Sequence, residues 1–198
     1  MSHVSISPTA SALVGLDRAR ELLAPSDGRP LEAVSWVSAH VTASARTTHR
    51  TARRLGLNDE TARAARSARH LLSITRLFEQ AHAGDALAAG VDDAALHESV
   101  VASLDEHRRD EAALLDRIAA LSPDGEAAVA AAYRRMLRRA PTRPHPHSPR
   151  RGWLGAASFA AHALIDHALD TMDGRHPLSR KAPVAGPPGR WGHYLLGG

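Results

Sequence analysis

Apolar residues recur along this chain at steps of three and four, the spacing of one helix face. The clearest series is Leu96, Val100, Leu104, His107, Glu111, Leu114 and Ile118. It predicts a helix over 93–121, capped by Asp92-Asp93. The same reading predicts helices over 9–24, 30–55 and 59–82. Breaks fall at Pro25-Ser26-Asp27-Gly28, at Gly56 and at Gly84 to Gly90, and Asn58-Asp59 offers a new N-cap. Ser122-Pro123-Asp124 opens a fifth helix over 123–139 that carries Val129, Tyr133, Met136 and Leu137. No segment alternates as a half-buried strand would. The expectation is an all-α chain: an up-down four-helix bundle with short connections, plus an additional helix.

Composition changes at Pro141. The stretch PTRPHPHSPRRG must be extended. An amphipathic helix follows over 153–172, and the end is rich in Pro and Gly. Two units are therefore expected, a helical bundle over 1–140 and an extension over 141–198. The apolar face of the tail helix could cover the bundle or pair with the same helix of a second subunit, forming a homodimer. Asp166, Asp170 and Asp173 argue against a membrane-surface role.

Within this frame the polar members of the apolar stripes carry the chemistry. His107 and Glu111 lie one turn apart on a face otherwise made of Leu, Val and Ile. Burying such groups without partners costs several kcal/mol. Either they pair with other core polar groups, or a metal ion satisfies both. His40 shares a stripe with Val37 and Ser44, and His70 shares one with Ile74, Leu77 and Ala81. Three imidazoles and one carboxylate on successive helices make a plausible shell for iron, manganese or zinc. His49 stands beside Arg50 and Arg53, which suggests a solvated face, and His82 suits a helix C-terminus.

The chain has no cysteine, which excludes disulfides, thiolate metal sites and iron–sulfur clusters. The segment MSHVSISPTASALVG lacks the features of a secretory signal, and no apolar run is long enough to span a bilayer, so a cytoplasmic protein without a membrane span is expected. The net charge is +4, and Arg134, Arg135, Arg138, Arg139, Arg143, Arg150 and Arg151 could meet phosphates. No helix-turn-helix pattern accompanies them and aromatic residues are few, which weighs against nucleic acid. No phosphate loop, nucleotide fingerprint or Ser-His-Asp arrangement is present.

Two stretches carry a family resemblance. LDEHRRDEAALLDRI, with its His-x-x-x-Glu pair, resembles the last bundle helix of the hemerythrin-like (HHE cation-binding) proteins. AYRRMLRRAPTRPHPHSP, with the following WLGAASFAAHALIDHALDTMDGR, is similar to the exit and terminal helix of their actinobacterial members. ARHLLSITRLFEQAHAGD is similar to their third helix. The resemblance implies metal ligands at His70, His107 and Glu111, with His40 matching the second-helix histidine. It also implies one or two iron ions and oxygen or redox chemistry on a small molecule, or sensing. The family's bridging glutamate would fall at Ser44, and the first helix, TASALVGLDRARELLA, has no histidine. An ordinary diiron set is therefore incomplete. Three readings follow: a retained two-His-one-carboxylate iron site open to dioxygen or a small molecule, a metal-free bundle acting as a binding or scaffold module, and a haem held by an axial histidine.

Overall fold

The computed structural model describes residues 8–24, 29–83, 88, 90–140, 142–143, 161 and 164–166. Among these, six helices and no strand are present: α1 (Pro8–Leu22), α2 (Pro30–Arg46), α3 (Thr48–Arg54), α4 (Asn58–His82), α5 (Asp93–Leu121) and α6 (Pro123–Leu137). The described part of the chain is all-α, as the apolar spacing implies. None of the described helices is long and apolar enough to cross a membrane.

The helix ends follow local chemistry. Asp92 caps α5, its carboxylate accepting from the backbone of Ala94 and Ala95 at 2.8 and 3.2 Å. Ser122 caps α6 by accepting from Gly125 N–H at 3.1 Å, and Pro123 occupies the first helical position. Gly56, at φ +81°, ends α3 in the left-handed region that glycine enters without strain. The cap expected from Asn58-Asp59 is not made: α4 begins at Asn58, after Leu57, with no side-chain cap.

The helix expected over 30–55 is two helices. Thr47, at φ −117° and ψ −77°, interrupts it, and its hydroxyl donates to the carbonyl of Ala43 at 2.8 Å. Such back-bonding bends helices, and two adjacent β-branched residues, Thr47 and Thr48, weaken the turn further.

Helix α2 has no charged residue between Glu32 and Arg46, and ten of its residues are buried. A helix apolar on nearly all sides belongs at the centre. Two of its buried hydroxyls turn back on their own helix, Ser38 donating to the carbonyl of Val34 at 2.9 Å and Ser35 to that of Leu31 at 3.3 Å. Helix α2 packs against α1, α4 and α6, and α5 packs against α1, α4 and α6. No backbone approach joins α2 to α5 among the described residues. Side chains from α2 and α5 therefore meet across the interior, and that is where the polar cluster lies.

Beyond α6, Thr142 and Arg143 are buried. The backbone N–H of Arg143 donates to Asp166 at 2.9 Å, and its guanidinium lies 3.6 Å from Glu79 on α4. Most of the tail helix expected over 153–172 lies outside the described residues, as does most of the 141–198 extension.

Candidate metal centre

His40, His107 and Glu111 come together. One potential ligand atom of each lies within 4.8 Å of the others, and all three residues are buried, at 0%, 0% and 1% exposure. His40 comes from α2, where Val37 and Val41 hold its face inward. His107 and Glu111 come from α5, between Leu104 and Leu114. The two imidazole rings meet edge to face, centroids 5.6 Å apart.

Each member is held by a neighbour. Tyr133 Oη of α6 is 2.7 Å from His40 Nδ1. Ser67 Oγ of α4 is 3.1 Å from His107 Nδ1 and donates its own proton to the carbonyl of Ala64 at 3.2 Å. In the tautomer whose Nδ1–H donates to Ser67 Oγ, His107 Nε2 carries the lone pair. Ser44 donates to Glu111 Oε1, and His49 Nε2 donates to Glu111 Oε2 at 3.0 Å. His40 Nε2 is buried and has no hydrogen-bond partner.

These surroundings set the protonation states. Burial lowers the His40 pKa to about 3, only partly offset by the charge of Glu111, so the ring is neutral near pH 7. Burial by itself would raise the pKa of Glu111. His49, by charge and hydrogen bond, and then His107 and His40 outweigh that and hold its carboxyl well below the usual range. Tyr133 is pushed well above 10, first by burial and then by the Glu111 charge, so it remains a phenol. Neutral imidazoles and an ionised carboxylate are the forms that ligate a metal.

His70 is not part of this centre. The expectation that it lies on the inner stripe of its helix is corrected: His70 is exposed, while Ser67, Ala68, Leu71, Thr75 and Phe78 form the buried face of α4. Ile74 and Leu77 are only partly buried, so the face carrying His70 is rotated away from the core. Small residues at 64, 67 and 68 carry little hydrophobic signal, which hid the inner face.

His49 departs from expectation in the opposite sense. It is buried at 2% exposure rather than solvated. In an unbroken helix, residues nine positions apart point about 180° apart. His40 and His49 could not then both face inward. The interruption at Thr47 reorients α3 and lets both do so. The adjacent threonines were the available signal. Tyr133 and Ser67 were also missed, because each acts through a partner on another helix.

No family model matches this chain, and neither a curated protein nor a solved structure does.

Proposed function

We propose that this chain is a metal-binding helical protein holding one divalent first-row ion through His40, His107 and Glu111. The observation that carries the proposal is the orphaned Nε2 of His40, buried in a cluster that also holds a second imidazole and an ionised carboxylate. A buried polar atom without a partner costs about 1–3 kcal/mol, and an ion would remove that cost. Two imidazoles and one carboxylate leave coordination positions open, a set associated with iron that activates oxygen. We infer that iron is the resident ion and that, when bound, it supplies oxygen or redox chemistry on a small molecule, or sensing. Complete burial of the donors restricts any direct co-reactant to small molecules such as dioxygen.

The helix order, the neighbour relations of α1, α2, α4 and α5, and the residues of α5 support a hemerythrin-like four-helix bundle in which this centre is a reduced version of the family's site. The second histidine of the two-His-one-carboxylate set is then His40, in place of His70.

One observation favours a second reading. Ser44 and His49 already donate to both oxygens of Glu111. A metal-free polar network that fixes the core, in a protein acting as a binding module, would use Glu111 in that way. The two readings separate by metal content. Protein from iron-supplemented cells, or loaded anaerobically with ferrous iron, should carry about one ion per chain if the metal reading holds. The metal-free reading gives none. A haem absorption band would replace both.

A further inference from the structure

We propose that Tyr133 is the positioning residue for His40, seated in a notch that Gly15 leaves in α1, and that this contact decides which ring nitrogen His40 offers to an ion. The inference rests on the metal-binding reading, and its test is arranged so that the two can fail separately.

The two ring nitrogens of His40 have different surroundings. Nδ1 lies 2.7 Å from Tyr133 Oη, and Nε2 has no hydrogen-bond partner. With Nδ1 engaged by the phenol, Nε2 is the atom left for coordination. A ligating histidine almost always donates its other N–H to a fixed acceptor, which sets ring orientation and tautomer. With an ion on Nε2, the hydrogen must sit on Nδ1, and Tyr133 Oη is the acceptor at hand.

The phenol reaches this place only because α1 has no side chain there. A Cβ on Gly15 would stand 2.8 Å from Tyr133 Oη, closer than real contacts allow, and 3.0 Å from His40 Cβ, tighter than most real contacts. Gly15 lies inside a helix, where glycine costs about 0.5–1 kcal/mol relative to alanine. Its φ is not positive, so backbone conformation does not require it. Space for the Tyr133 hydroxyl does. The first helix therefore contributes a gap to the centre rather than a ligand, and α6 fills the gap. Ser67 of α4 holds His107 of α5 in the corresponding way, so both imidazoles have a hydroxyl on Nδ1.

The test uses zinc as a diamagnetic probe on the full chain, as wild type, Tyr133→Phe and Gly15→Ala. Two quantities are read: zinc affinity by chelator competition, and the ring-nitrogen NMR shifts of His40 in the metal-free protein. Tyr133→Phe should weaken zinc by about 10–100-fold, the range for loss of a ligand's hydrogen-bond partner. It should also shift the His40 ring nitrogens while leaving those of His82, which is bonded to the carbonyl of Phe78, unchanged. Gly15→Ala, which keeps the phenol but displaces it, should act in the same direction. Unchanged His40 shifts in Tyr133→Phe overturn the proposal, as does unchanged zinc affinity where the wild type binds zinc. If the wild type binds no zinc, the metal-binding reading falls and the ring-nitrogen shifts alone decide the role of Tyr133.

Discussion

His49 Nε2 lies 3.0 Å from Glu111 Oε2, with the two side chains 3% and 1% exposed. The contact is a hydrogen bond from a buried imidazole to a buried carboxylate. Removing the donor leaves that carboxylate oxygen without its partner, at a cost of about 1–3 kcal/mol. His49→Ala should therefore destabilise the fold by about 2 kcal/mol. Urea denaturation of the metal-free protein measures this. A loss under about 0.5 kcal/mol, typical of surface changes, would show that Ser44 alone satisfies Glu111.

The exposed pair Arg108–Asp17 offers a contrast. It is shorter, at 2.7 Å, but its side chains are 43% and 42% exposed. Solvent screening limits such pairs to about 0–1 kcal/mol. Asp17→Asn should therefore change the unfolding free energy by less than about 1 kcal/mol. Burial, not distance, decides between these two carboxylates.

Stability should fall in acid in two stages. The folded pKa of His40 lies at about 3, below its unfolded value of 6.5. The unfolded chain then binds the proton first, so stability is full above pH 6.5 and declines as pH falls toward 3. Glu111 is also depressed from 4.5, so its contribution adds to the decline below that pH. Each proton taken up only on unfolding contributes a slope of about 1.4 kcal/mol per pH unit. Denaturation of the metal-free protein between pH 7 and 5 should show the His40 slope, and His40→Gln should flatten it. An equal slope in both proteins would mean that His40 is not held neutral by burial.

Gly15 and Tyr133 should be coupled in stability as well as in metal binding. Gly15→Ala places a methyl group against the hydroxyl of Tyr133. Tyr133→Phe removes that hydroxyl. The double variant should therefore lose less than the sum of the single losses, with a coupling of about 0.5–3 kcal/mol. Additive losses in a double-mutant cycle would mean that the methyl group meets the nearby His40 Cβ instead.

The legibility of the centre depended on what held each residue in place. His107 and Glu111 could be read because α5 is a long unbroken helix whose Leu, Val and Ile mark the buried face. His40 could be read for the same reason, from Val37 and the uncharged run around it. His70 was misplaced because Ile74 and Leu77 outweigh Ala64, Ser67 and Ala68 in hydrophobicity, although the small residues face the core. His49 required a break at Thr47 that the apolar spacing does not record. Tyr133 and Gly15 meet through contact between α6 and α1, more than a hundred positions apart, and no local pattern encodes that meeting. The all-helical class rests on periodicity alone and was accordingly the most legible feature.

The most direct test of the account is iron per chain in wild type, His40→Ala and His70→Ala, prepared together from iron-supplemented cells. The account predicts about one ion in the wild type, an unchanged value in His70→Ala, and loss of the ion in His40→Ala. Loss in His70→Ala with retention in His40→Ala, or no metal in any of the three, would contradict it.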